Sequence, residues 1–133
     1  MQNLTPLKLA AKIHTFTDLQ AWRQAHELVL AVYAMTNKFP QSELYAMADQ
    51  LRRAAVSVTS NIAEGFRRRT QKDKRKFYLD AFGSLSEVQS QMIVARDVAY
   101  ISLDEYLTLE GKINYIERLL NGLIKSAVTW RGT

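Results

Sequence analysis

Apolar residues recur at three- and four-residue steps through nearly the whole chain after residue 17, in four blocks separated by short breaks. That period fits helices and excludes alternating half-buried strands. Only two prolines and five glycines interrupt the 133 residues, while Ala, Leu, Gln, Glu, Lys and Arg are abundant, so helix propensity is favourable almost throughout. In the first block Leu19, Trp22, Ala25, His26, Val29, Val32 and Tyr33 mark one face. Thr17 with Gln20 has the spacing of a capping box, and Pro40 ends the pattern, which places a helix over 18–38. A second helix is expected over 43–64, capped by Ser42, with Glu43 in its first turn and Leu44, Met47, Ala48, Leu51, Ala55, Val58 and Ile62 as its core face. Gly65 stands where a left-handed residue commonly closes a helix.

Thr70 and Asp73 have the spacing of a further cap, opening a helix to residue 98 whose core face is Phe77, Tyr78, Ala81, Phe82, Leu85, Val88, Met92 and Ala95. Ser102 with Glu105 opens the last, to residue 128, carried by Leu103, Tyr106, Leu107, Ile113, Ile116, Leu120, Leu123, Ile124 and Ala127. Four amphipathic helices with short connections pack most simply as an all-α, antiparallel, up-down-up-down four-helix bundle. The expected domain is residues 16–130, preceded by a flexible N-terminal arm, 1–15, that makes a poor signal peptide because Thr5, Pro6 and Lys8 break its apolar run.

The charge of this scaffold is localised. Of 18 Lys and Arg, nine lie between Arg52 and Lys76, against only Glu64 and Asp73, so the window is strongly positive while the rest of the chain is slightly negative. Arg52, Arg53, Arg67, Arg68, Arg69, Lys72, Lys74, Arg75 and Lys76 are therefore the candidate phosphate-binding residues, and RNA or another nucleic acid the candidate partner. Phe66, Phe77 and Tyr78 flank the run and are placed to stack on bases, although Phe77 and Tyr78 also fall on the core face. A solvated loop and helix face with incidental charge, on a scaffold that binds a protein, is the alternative.

Between Ala54 and Ala63 there is no charge, and Ala46, Val56, Ser57 and Ser60 lie opposite the core face. Small, weakly polar residues there let a second helix approach, so Val56, Ser57 and Ser60 are the candidate contact of a homo-oligomer. Assembly before Gly65 and phosphate binding after it are expected to be separable by mutation.

Catalytic and metal chemistry find little support. The absence of cysteine excludes disulfides, thiolate metal sites and cysteine nucleophiles, and fits a reducing cytoplasm. The only histidines, His14 and His26, make no Glu-x-x-His pair, and Arg23 precedes His26 at the wrong spacing for helical ribonucleases that use an arginine and a histidine four to six residues apart. No glycine-rich phosphate loop, nucleophile elbow or membrane-length apolar run occurs, so the expectation is a non-enzymatic protein without cofactor, metal or membrane span.

FTDLQAW at 16–22, KFP at 38–40, QLRRAAVSVTSNIAEG at 50–65 and FGSLSEVQ at 82–89 together resemble the bacterial proteins encoded within intervening sequences of 23S ribosomal RNA genes, over residues 16–125. A more distant likeness, by fold, is to accessory proteins of diversity-generating retroelements. The first resemblance implies a four-helix bundle in a homo-oligomer, with pentameric rings known in the family, and a role connected with RNA. Its most recognisable positions here are Trp22, Pro40, Gln50, Arg53, Ser57, Asn61, Glu64, Gly65, Gly83, Ser84 and Glu87. Structurally, Gly83 is expected to permit close helix packing, Gly65 a chain reversal, and Asn61 with Glu64 hydrogen bonds that fix the turn. The functional alternative joins Arg53, Asn61 and Glu64 into one polar site at a subunit junction. Val58-Thr59, where the family often has isoleucine-proline, and Met47 for a usual leucine are mild departures.

Overall fold

The computed structural model describes residues 12–128, and within them every regular element is helical. Helices α1 (Gln20–Thr36), α2 (Met47–Arg67), α3 (Gln71–Asp97) and α4 (Leu103–Ser126) follow a short 3-10 turn at Phe16–Asp18, and a second such turn, Gln41–Glu43, precedes α2. Each helix packs on its sequence neighbours, and α1 also packs on α4, closing the ring of a bundle. The three residues between α2 and α3 cannot carry the chain back along a helix of 21 residues, about 32 Å long, so the pair is antiparallel. At the other end the 37–46 and 98–102 connections meet: the rings of Phe39 and Tyr100 lie 5.3 Å apart, and the Tyr100 hydroxyl donates to Glu43 at 3.4 Å. Beside them Lys38, after α1, pairs with Glu105 at the start of α4.

Leu28, Val32, Leu51, Val58, Ile62, Leu85, Val88, Met92, Ile113, Ile116 and Leu120 are fully buried and form one continuous core. Burying each such side chain is worth about 1.5–3 kcal/mol, which is what holds four helices whose ends are otherwise wet. The core faces of α2 and α3 are those expected from sequence, with Phe77 and Phe82 only half-buried. In α1 the buried face is turned by about one residue: Leu28, Met35 and Thr36 point inward, while His26 and Tyr33 are exposed. In α4, Leu103 and Leu107 are 62% and 51% exposed, and Tyr106 and Leu109 take the inward places.

The caps divide in the same way. Thr70 accepts from Asp73 N at 3.1 Å and Ser102 from Glu105 N at 3.0 Å, as expected, and the second cap is a complete capping box. The first cap is Thr15 rather than Thr17: its hydroxyl accepts from Thr17 N, and Asp18 Oδ2 accepts from Thr15 N and His14 N. Those backbone donors, Thr15 first and then His14, hold the Asp18 carboxyl below its ordinary range. Thr15 therefore belongs to the folded domain, while the part of the expected arm before residue 12, and residues 129–130, lie outside the described residues. Ser42 caps nothing. It sits inside the 3-10 turn that follows Pro40, and α2 starts at Met47 behind Ala46 without a side-chain cap.

Gly65 does not end α2. It is a buried helical residue, the helix runs two residues further, and a Cβ at this position would lie 2.6 and 2.8 Å from Tyr78 ring carbons. Its lack of a side chain admits the Tyr78 ring at the α2–α3 contact. The left-handed residue lies elsewhere: Ala99, φ 66°, closes α3, with Ala99 N donating to Arg96 O at 3.0 Å and Tyr100 N to Ala95 O at 2.8 Å. That pair of bonds is the Schellman arrangement, with alanine in the glycine place. Gly83 faces open space and permits no close packing.

Candidate nucleic-acid interface

The nine cations do not form one patch. Arg52 and Arg53 lie near the start of α2, fourteen or fifteen residues from Arg67, which on one helix is about 21–22 Å. The other seven surround the α2–α3 junction.

At that junction each aromatic ring near the surface is already covered by a cation. Arg67 lies over Phe16 at 5.1 Å, and Lys74 Nζ over Phe66 at 5.5 Å. Arg68 and Lys76 both approach the Phe77 ring, each at 4.6 Å. The rings thus position charge instead of offering free faces to bases, and Tyr78 is buried. Tyr78 and, in part, Phe77 thus take the core places that their spacing offered as the alternative to base stacking.

The seven cations have different tasks. Lys74 Nζ donates to Phe66 O at 2.7 Å and, at 3.4 Å, to Gly65 O, which also accepts from Arg68 N, so it supports carbonyls at the end of α2, and burial pushes its pKa down. Arg68 pairs with Glu64 at 2.7 Å and Lys76 with Asp80 at 3.1 Å, both one helical turn apart and both exposed. Such pairs contribute a few tenths of a kcal/mol. Arg69, Lys72 and Arg75 are exposed, and among the described residues no carboxylate pairs with them. Lys72 and Arg75, three residues apart on α3, make a ridge where it begins, with Arg69 two residues before the helix, and Lys72, Arg75 and Lys76 line a shallow concavity of about 310 Å³ with Leu79 and Asp80. Exposed charge without an internal partner, beside the positive end of a helix dipole, attracts phosphate oxygens.

The upper part of α2 is built differently. Asn61 Nδ2 donates to Ser57 O at 2.9 Å and Ser57 Oγ at 3.1 Å, and Ser57 Oγ shares a 2.8 Å hydrogen bond with Ser84 Oγ on α3. Ser57 therefore ties α2 to α3 in mid-span, with Asn61 bonded to it from within α2, and Asn61 fixes no turn. Glu64 serves Arg68, and Arg53 Nε donates to Asp49 at 2.8 Å, so Arg53, Asn61 and Glu64 are three separate contacts and not one polar site. Of the residues expected at a subunit contact, Val56 and Ser60 are exposed while Ser57 is half-buried and engaged with α3. They share a concavity with Arg52 and Arg53, and also with Tyr33, which periodicity places on the core face of α1, and Asp49, which it does not single out.

Among the described residues no group of three His, Cys, Asp or Glu side chains is arranged to hold a metal ion, and no helix is long and apolar enough to cross a membrane. No curated protein matches the chain. Among solved structures, a protein of unknown function from the S23 ribosomal protein family of Bacteroides thetaiotaomicron superposes with a TM-score of 0.72, at 19% identity, covering 79% of this chain and 95% of that one. At that identity the likeness carries the fold. The family model described as 23S rRNA-intervening sequence protein matches residues 17–122, and by that match over most of its length the chain belongs to the 23S rRNA-intervening sequence protein family.

Proposed function

We propose that this protein is a non-enzymatic, cytoplasmic RNA-binding bundle that contacts the phosphate backbone through Arg69, Lys72 and Arg75, with Arg67, Arg68 and Lys76 held beside them by ring faces. The observation that carries this is the absence, among the described residues, of any carboxylate paired with those three exposed cations at the start of α3. Pentameric self-association, which the family resemblance implies, completes the proposal. The test is the triple substitution Arg69→Glu, Lys72→Glu, Arg75→Glu. It removes three phosphate contacts and adds three repulsions, so RNA affinity is expected to fall by about a hundredfold or more at low salt, with oligomer size unchanged by light scattering. The wild-type affinity is expected to fall steeply with salt. Retained affinity in the triple variant would refute the assignment.

A protein-binding scaffold is the second reading, favoured by one observation: Ala31, Met35 and Leu109 floor a concavity of about 380 Å³ between α1 and α4, on helices that also expose Leu30, Leu103 and Leu107. Undiminished partner capture by the triple variant, with no RNA bound by wild type, would favour it.

A further inference from the structure

The ridge leaves Arg52 without a role, and the surroundings of Arg52 are unusual. Its Nε donates to Thr36 Oγ1 at 2.7 Å, its Nη2 to Asn37 Oδ1 at 2.9 Å, and its guanidinium lies 4.8 Å from the centre of the Tyr33 ring. Thr36 is itself fully buried and fixed, donating to Val32 O at 2.7 Å. Every one of these partners is neutral. Among the described residues no carboxylate pairs with Arg52, because the nearest on its own helix, Asp49, is taken by Arg53. A half-buried guanidinium is thus locked in place with its charge uncompensated, an arrangement that costs free energy unless an anion arrives from outside.

Two of the five N–H donors are used, and three remain. Arg52 lines a concavity of about 620 Å³ with Tyr33, Asp49, Arg53, Val56, Ser57 and Ser60, which is within the size range of small-ligand sites. Arg53 keeps donors beyond the one spent on Asp49, and Ser60 offers a hydroxyl. Two guanidinium groups, one of them shared with Asp49, suit the several terminal oxygens of a phosphate monoester better than the two of a carboxylate, while Val56 and the Tyr33 ring, with the Ser60 hydroxyl about 12 Å along α2 from Arg52, line the space for the body that carries it.

We propose that this concavity is a binding site for a small phosphate monoester of up to nucleotide size, independent of the RNA ridge about 21 Å away. The measurement is isothermal titration of the full chain with AMP, inorganic phosphate and adenosine. AMP binds, inorganic phosphate binds more weakly because it leaves the apolar wall unused, and adenosine does not bind. Ser60→Glu places a carboxylate at an exposed position lining the same concavity, and Arg52→Gln removes the charge while keeping a polar side chain. Each lowers AMP affinity by about tenfold or more, with unchanged circular dichroism. The ridge triple variant retains AMP binding while losing RNA. Equal binding of adenosine and AMP, AMP affinity unaffected by Ser60→Glu, or loss of AMP binding in the ridge variant would each overturn the proposal. So would a wild type that ignores AMP and phosphate while Ser60→Glu dissociates the oligomer, which would give the concavity to subunit contact.

Discussion

Helix α3 is entered and left by two turns that solve the same problem with opposite residues. Into it, from α2, the chain needs no left-handed residue: Arg68 is extended, Thr70 caps Asp73 N, and Lys74 reaches back to the carbonyls of Gly65 and Phe66. The glycine nearby is helical and buried, and it is there to make room for the Tyr78 ring. Out of α3, toward α4, the chain does use a left-handed residue, and it is Ala99. Glycine therefore stands where space is short, and alanine where backbone freedom would help. The lesson is that a glycine near the end of an apolar pattern reports either conformation or clearance, and spacing alone does not separate them.

Four variants break or sharpen this contrast. Leu51→Ala, in the fully buried core that both turns serve, sets the scale with an expected loss of about 2–5 kcal/mol in denaturant titration. A melt unchanged from wild type would show that α2 does not bury this face. Gly65→Ala gains helix propensity but drives a methyl group into Tyr78, so a net loss of about 1–3 kcal/mol is expected. The same substitution made in a Tyr78→Leu background is expected to cost less, since clearance and not backbone conformation is what Gly65 supplies. Ala99→Gly is the inverse, with a gain of about 0.5–1 kcal/mol from relief of a side-chain clash at positive φ; a loss would contradict the account of the second turn.

The smallest effect concerns the caps at the two ends of the bundle. Glu105 is held below its ordinary range by Lys38 first and the Ser102 backbone N–H next, and Asp18 by the N–H groups of Thr15 and His14. Because both folded pKa values are depressed, their stabilisation is fully present above the unfolded carboxylate pKa and is lost as pH falls through the folded values. Asp18→Asn and Glu105→Gln are each expected to flatten the acid limb of the melting temperature against pH, while leaving its slope near neutrality unchanged.

The fold was legible where local chemistry decides it. Thr70-Asp73 and Ser102-Glu105 are complete within four residues, and the faces of α2 and α3 repeat cleanly enough to read without their partners. The face of α1 was not, because Trp22, His26 and Tyr33 are amphipathic: Trp22 and His26 stack with ring centres 4.9 Å apart near the surface, and the inward places go to Leu28 and Met35. Ser42 failed as a cap because Pro40 starts a 3-10 turn first. In the candidate site, the concentration of cations near Arg67–Lys76 was visible in composition. The four-residue pairings of Glu64 with Arg68 and Lys76 with Asp80 were also open to reading from spacing, whereas the contacts of Arg67 with Phe16 and Arg68 with Phe77 depend on packing between elements. Arg52 meeting Thr36 and Asn37, sixteen and fifteen residues away in sequence, is likewise a product of α1 packing on α2.

The turn at Phe16–Asp18 packs against α2 beside Arg67, and Ala127 packs with Tyr78 and Ile124 at the same end. Residues 12 and 128 consequently both leave the bundle next to the cationic ridge. A purification tag or fluorescent fusion joined directly at residue 12 or residue 128 is delivered to the surface whose affinity it is meant to report, and an acidic one would occupy it. A circular permutant joined across residues 12 and 128 and opened in the 37–46 connection would carry any such appendage to the far end, leaving the ridge clear for measurement.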